Sequence, residues 1–148
     1  MRVVLQRVRN ASVTVGGREV AQIGQGLLAL AGFSATDLTG EPGFERMAKR
    51  ILGLRIFDDA NGRLNLSLDE INGGLLLVSQ VTLTASLTKG SRPSFHTAAP
   101  VEAARILFET FAQTVNRLFP RVQTGRFQAH MVVALENDGP VTFVLDDP

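Results

Sequence analysis

The sequence predicts an α+β domain built on mixed, largely antiparallel β-sheets with two helices. Three observations carry that expectation. Strand-like runs outnumber helix-like runs, about eight to two by hydrophobic periodicity. The two helix-like stretches lie around Phe44–Leu52 and Val101–Val115, too few and too far apart to cover both faces of a doubly wound parallel sheet. The N-terminal region also alternates apolar and polar residues and then meets Gly16-Gly17, a hairpin signal.

Taken in order, residues 2–16 read as a strand pair, with Val3, Leu5 and Val8 apolar and Val13 and Val15 alternating with Ser12 and Thr14. Beyond the Gly16-Gly17 turn, Arg18 to Ile23 continues as a further short strand. Gly24-Gln25-Gly26 breaks the pattern, and Leu27 to Phe33 is a nearly unbroken apolar run, as in a central strand. Ser34 to Gly43 is loop by composition. Phe44, Met47, Ala48, Ile51 and Leu52 recur at helical spacing with Glu45, Arg46, Lys49 and Arg50 opposite, which predicts a helix ending near Gly53. Leu54-Arg55-Ile56-Phe57 reads as a short strand, Asp58 to Gly62 as a turn, and Asn65 to Gly74 as irregular.

Leu75 to Val78 is wholly apolar, as a strand buried on both faces would be. Ser79, Gln80 and Thr82 then follow, with Val81 and Leu83 between them. A buried strand that ends in hydroxyl and amide groups leaves polar atoms that need partners, a common way to build a site. Lys89-Gly90-Ser91-Arg92-Pro93-Ser94-Phe95 is a polar loop. Pro100 starts the second helix, whose apolar stripe is Val101, Ala104, Leu107, Phe108, Phe111 and Val115, and Phe119-Pro120 ends it. Val122 to Thr124 is extended, and Met131–Leu135 and Val141–Leu145 are strands flanking a turn at Asn137–Pro140. Within that turn Gly139-Pro140 fixes the backbone and is a candidate for a cis bond.

At 148 residues the chain is expected to form one domain, residues 1–148, large enough to bury its own core. Formal net charge is +1, so any RNA contact must come from a local basic patch. The absence of cysteine excludes disulfides, a cysteine nucleophile and thiolate metal sites, and fits a reducing compartment. There is no signal-peptide pattern, and no apolar run reaches the roughly 18 residues of a membrane span. A soluble cytoplasmic protein is expected. Phe is the only large aromatic available for stacking, since Tyr and Trp are absent.

Motifs that carry chemistry alone are missing: there is no G-x-S-x-G, Walker A, H-E-x-x-H or strand-associated G-x-G-x-x-G. Asp59, Asn61 and Gly62 faintly resemble a calcium loop, but Leu68 stands where the closing Glu belongs, so the segment reads as a turn. His96 and His130 are the only histidines, with nothing spaced to complete a zinc site. Ser94 and His96 lie close in sequence, yet residues two apart on a loop rarely attain nucleophile–base geometry. Ser79 and Thr82 read as satisfying backbone groups or positioning a substrate, and Thr82 stays open as a nucleophile. Arg7 reads as an edge-strand cation; Lys89 and Arg92 read as solvated charges or contacts to a phosphate backbone.

Several segments together resemble one family. They are Met1-Arg2-Val3-Val4-Leu5-Gln6-Arg7-Val8, Leu54-Arg55-Ile56-Phe57, Asn65-Leu66-Ser67-Leu68, Ser79-Gln80-Val81-Thr82-Leu83, Arg92-Pro93-Ser94-Phe95, Thr124-Gly125-Arg126-Phe127 and Asn137-Asp138-Gly139-Pro140-Val141-Thr142. In this order and spacing the set resembles the D-aminoacyl-tRNA deacylase family nearly end to end. The resemblance implies that family's barrel-like fold and hydrolysis of the ester between a D-amino acid, or glycine, and the terminal ribose of tRNA. It also implies a homodimer without metal or cofactor. Gly139-Pro140, in cis, would reach from one subunit into the other's pocket, hold the α-amino group and leave no room for an L side chain, with Arg7 locking the motif. Ser79, Gln80, Val81 and Thr82 would line the pocket around the ester, a backbone N–H would stabilise the oxyanion, and the adjacent ribose hydroxyl would assist. Lys89, Arg92, Ser94 and Phe95 would support the terminal adenosine and its phosphates. Three places depart from the pattern. Val81 stands where Phe is more usual, Gln128 and His130 replace a small residue and an acid or Met, and Ser86-Leu87-Thr88 replaces a more basic run. These bear on substrate preference and RNA affinity. Two other readings are a deacylase for wrongly charged L-aminoacyl-tRNA, favoured by a trans Gly139-Pro140 bond, and a non-catalytic tRNA-binding dimer.

Overall fold

The computed structural model describes residues 1–39, 41–88 and 90–146; the side chains of 38, 39, 41 and 42 lie outside that description. The elements run β1 (Arg2–Val15), β2 (Arg18–Ile23), β3 (Gly26–Gly32), α1 (Glu41–Gly53), β4 (Phe57–Asp58), β5 (Leu64–Leu66), β6 (Gly74–Ser79), α2 (Val101–Leu118), β7 (Val122–Thr124) and β8 (Met131–Asp146). Short 3-10 turns occupy Ala35–Thr39 and Val81–Thr84.

The long first strand organises the sheet. Residues 2–15 form one strand of 14 residues, not the expected pair, because both of its edges are paired nearly throughout. On one edge Ala11–Val15 pair with β2 and Arg2–Val8 with β3; on the other, β8 runs antiparallel along the length of β1. The expected turn between two C-terminal strands is likewise absent. Since both halves of β8 pair with one continuous partner strand, the chain passes Asn137–Pro140 without reversing. Beyond β3 the sheet continues in parallel, β3 with β6 and β6 with β7. The order is therefore β2-β1-β3-β6-β7, with β8 on β1. The Gln22 N–H donates to Gln123 Oε1 at 2.9 Å, tying β2 to β7 and nearly closing a barrel. The α+β reading, mixed and largely antiparallel with two helices, is the fold observed.

Alternation along β3 and β6 separates two cores. Leu27, Ala29, Ala31, Leu75 and Leu77 face the helices, whereas Leu28, Leu76 and Val78 pack with Val8, Val13 and Ile23 inside the curled sheet. Burial on both faces is why these runs are nearly unbroken in apolar residues. Phe33, Phe44 and Phe111 meet edge to face at 5.5 to 6.2 Å, locking the end of β3 to both helices.

Local boundaries differ from the expectations in three places. Helix α1 begins at Glu41, inside the stretch read as loop, with Pro42 in the first turn where its missing N–H leaves no helical bond unmade. The strand expected at Leu54–Phe57 keeps only Phe57, since Leu54 N–H still bonds back to Ile51 O at the helix end. Its partner β5 falls at the start of the segment read as irregular. Val101 leaves the predicted stripe of α2 at 52% exposure, while Leu107, Phe108, Phe111 and Val115 are buried.

Among the described residues four carboxylates lie below their ordinary pKa, one of them Glu45 beside Lys49. Asp59 accepts the backbone N–H groups of Arg63 and Asn61, Glu70 those of Ser67 and its hydroxyl, and Asp146 the Arg2 guanidinium. A carboxyl depressed in the folded state stabilises above its unfolded pKa, and that stability is lost as pH falls through the folded value. Thermal midpoints should thus hold steady from neutrality to about pH 4.5 and fall below it. The Asp59→Asn, Glu70→Gln double variant should show a shallower acid slope; an unchanged slope would remove these two carboxylates from the account.

Candidate active site

β6 delivers Ser79 and Gln80 to the end of the sheet. Pairing persists one residue beyond the strand, with Gln80 N–H donating to Ala31 O at 2.8 Å. The 3-10 turn that follows is closed by Leu83 N–H to Gln80 O at 3.2 Å and by Thr84 Oγ1 to Val81 O at 2.8 Å. No side chain caps the turn, and its first N–H groups, those of Val81 and Thr82, have no partner within it. Gln80 Nε2 donates to Thr82 Oγ1 at 2.5 Å, so one amide and one hydroxyl hold each other. No imidazole or carboxylate is bonded to Thr82 among the described residues.

Ser79, Gln80 and Val81 form one wall of a cleft of about 370 Å³. Phe127 to Met131 form the facing wall, and Ala99, Val101 and Ala104 close it from the start of α2. Thr82 does not line it. The cleft is mainly apolar, and His130 is the one ionisable side chain lining it. Sequence reading marked Gln128 and His130 as departures and gave His130 no metal role; the signal for a wall, a short polar segment between Phe127 and Met131, became visible only once β7 and β8 placed it beside Ser79.

The loop after Thr84 is held by reciprocal backbone bonds between Ser86 and Ser94 at 2.8 and 2.9 Å, and by Thr97 Oγ1 to Thr84 O at 2.8 Å. Ser94 Oγ and His96 Nδ1 do come within 2.9 Å, contrary to what their spacing suggested, where the chain turns with Ala98 N–H donating to Phe95 O at 3.0 Å. Arg92, Ser94 and Phe95 are exposed and stand outside the cleft lining. Lys89 lies outside the described residues.

Gly139-Pro140 occupies a bulge. Between the pairs Val8–Asn137 and Gln6–Thr142, Arg7 alone faces residues 138–141. The Gly139-Pro140 bond is cis, and Gly139 has φ +133°, a region suited to glycine. Arg7 is not the edge cation its sequence position suggested. It is 6% exposed and, among the described residues, the only charged residue that is buried. Its Nε donates to Asp138 O at 3.0 Å and its Nη1 to Ile56 O at 2.9 Å, with Asp58 Oδ1 at 3.3 Å and Asp138 Oδ2 at 3.5 Å. Asn137, named in sequence only as part of the motif, donates its amide to Arg7 O and Val141 O, both at 3.0 Å, and pinches the bulge at its base.

The two parts do not converge within the chain. Ser79 is in register with Ala31, and Arg7 with Leu27. Four residues along β3 and two strand spacings put their backbones about 16 Å apart. The bulge points outward, with Gly139 and Pro140 both exposed.

The structure sets a cleft at the end of β6 on a nearly closed mixed barrel, and the comparisons give the same architecture. The c-Myc DNA Unwinding Element Binding Protein superposes with a TM-score of 0.93 at 39% identity, covering 100% of this chain and 99% of its own. A probable eukaryotic D-amino acid tRNA deacylase shares the fold, with a TM-score of 0.84 at 19% identity over 97% of both chains. Residues 4–146 match the family model described as D-Tyr-tRNA(Tyr) deacylase. Proteins called D-aminoacyl-tRNA deacylase from Azotobacter vinelandii and Stenotrophomonas maltophilia are 51% and 53% identical over 146 residues, covering 99% and 98% of this chain and 99% of each relative. The chain belongs to the D-Tyr-tRNA(Tyr) deacylase family of hydrolases.

Proposed function

We propose that this chain, as one domain, hydrolyses the ester of D-aminoacyl-tRNA in the cytoplasm as a homodimer without metal or cofactor. The observation that carries the reading is the outward bulge of Gly139-Pro140, clamped by a buried Arg7 whose backbone lies about 16 Å from that of Ser79 in the same chain. Such a rigid, exposed pair of backbone carbonyls suits insertion into the cleft of a second copy. Val132, Phe143 and Val144 on the same strand are exposed apolar side chains that a second copy would cover.

In this reading the Ser79–Thr82 segment surrounds the ester. The N–H of Val81, which has no partner within the turn and lines the cleft, stabilises the carbonyl oxygen as it gains negative charge. Water adds to the carbonyl carbon, the bond to the ribose oxygen breaks, and free amino acid and tRNA leave. The neighbouring ribose hydroxyl assists the proton transfer, so no side-chain nucleophile is required. Gln80 and Thr82, bonded to each other, position the turn. Carbonyl oxygens of Gly139 and Pro140 accept from the substrate ammonium, and their rigid backbone leaves space for hydrogen but not for an L side chain; glycine is therefore also accepted. Lys89, Arg92, Ser94 and Phe95 contact the terminal adenosine and its phosphates. Among the described residues no group of three or more His, Asp or Glu is placed to hold a metal, and no helix is long and apolar enough to cross a membrane.

The test is release of amino acid from one tRNA charged separately with D-Tyr, L-Tyr and glycine. D-Tyr and glycine should be released and L-Tyr spared. Pro140→Ala should begin to cleave L-Tyr-tRNA, and Gln80→Ala should lose about 100-fold in rate, as expected when a group organising the oxyanion donors is removed. Full activity and full L-rejection in both folded variants would sink the assignment of these residues. Cleavage of all three substrates by the native protein would replace it with a relaxed deacylase.

A further inference from the structure

The cleft wall opposite Ser79 contains a side-chain arrangement that the proposed reaction leaves unused. Gln128 lines the cleft with φ +62°, a left-handed conformation uncommon for a residue with a side chain. Its Oε1 accepts a hydrogen bond from Arg105 Nη2 at 3.2 Å. A guanidinium only donates, so the amide orientation follows: the oxygen faces Arg105 and the Nε2 hydrogens are left for another acceptor. Arg105 has two further neighbours of its own. It is one turn along α2 from Glu102, with Nε 3.6 Å from the carboxylate. Its Cζ stands 5.6 Å from the centroid of the Phe127 ring. Phe127 in turn packs on Phe108 at 6.1 Å. Gln128 is exposed at the mouth of the cleft, and its bond to Arg105 fixes which way its amide faces.

We propose that Gln128 is a substrate-binding residue of this cleft, donating from Nε2 to a hydrogen-bond acceptor on the terminal nucleoside of the aminoacyl-tRNA, and that Arg105 is its positioning residue. The inference rests on the deacylase reading and deepens it. The apolar surfaces of Phe33, Phe127, Val78 and Val133 around the same cleft suit the flat face of a base, whose edge then needs a donor beside them. Arg105 has no lining position of its own, so its contribution runs through Gln128.

Gln128→Gly separates recognition from structure, because glycine adopts φ +62° readily and removes only the side chain. The variant should melt no lower than the native protein, while KM for D-Tyr-tRNA rises about three- to ten-fold, the worth of one neutral hydrogen bond, with kcat little changed. Adenosine 5′-monophosphate, used as a competitive inhibitor, should weaken by the same factor. Arg105→Ala should raise KM in the native background but add nothing on top of Gln128→Gly. A native KM for Gln128→Gly, unchanged inhibition by the nucleotide, or additive effects of the two substitutions would each overturn the proposal. A native protein that cleaves no D-aminoacyl-tRNA would overturn the deacylase reading and this inference together, an outcome distinct from the first three.

Discussion

Arg7→Ala should lower the unfolding free energy by about 3 kcal/mol and abolish the rejection of L-aminoacyl-tRNA. The size follows from what the side chain leaves behind. Ile56 O and Asp138 O each lose their guanidinium donor, and Asp58 and Asp138 lose the cation between them. The bulge at residues 138–141 loses the contact that sets its direction, although Asn137 still ties its base. Arg7→Lys should recover only part of the loss. The two carbonyls are served by different nitrogens of one planar fork, Nε and Nη1, and a single ammonium cannot occupy both positions. Urea unfolding, run beside the D-Tyr and L-Tyr assays, checks both parts. Native stability in Arg7→Ala would show that the clamp is dispensable for the fold. A stable variant that still rejects L-Tyr would remove Arg7 from chiral selection.

Gly26→Ala should be the most damaging single methyl group in the sheet. Gly26 pairs in parallel with Gly74, and a Cβ at 26 would sit 1.9 Å from Gly74 O and 2.8 Å from its N and C atoms. All three are backbone atoms, so no side chain can swing aside. Relief requires β3 and β6 to move apart at the point where both cores depend on them. Overpacking in a close-packed interior costs about 1–3 kcal/mol even where side chains can adjust, and here the loss should reach the upper end or prevent folding. Gly24→Ala is the control, since nothing lies within 4 Å of the added methyl, and it should change stability by no more than about 0.5 kcal/mol. Equal behaviour of the two variants in soluble yield and chemical denaturation would contradict this packing account.

Much of this protein is written in short-range periodicity. Alternation marked the strands of the N-terminal half, and the spacing of Met47, Ile51, Leu107, Phe111 and Val115 marked both helices, because side-chain direction repeats with a period set by the local backbone. The polar end of β6 was legible for the same reason: an apolar run that stops at Ser79 announces where a buried strand meets solvent. The Gly139-Pro140 pair was visible as a fixed point, and the ordered motifs carried the family resemblance.

Which strands pair, and what faces what, was decided only by tertiary structure. The sequence breaks β1 and β8 into apparent pairs, since residues such as Arg9, Asn10 and Asn137 interrupt the apolar pattern; pairing along the whole length makes each one strand. Arg7 looked like a surface cation because nothing nearby in sequence can bury it, whereas its partners Ile56, Asp58 and Asp138 come from 49 to 131 residues away. The Gln128 wall, the Ser94–His96 bond and the separation of the bulge from its own cleft depend likewise on loop return and sheet register. Local sequence determines the direction in which each side chain leaves the backbone. Its surroundings depend on contacts between distant segments, and those form only when the whole sheet closes.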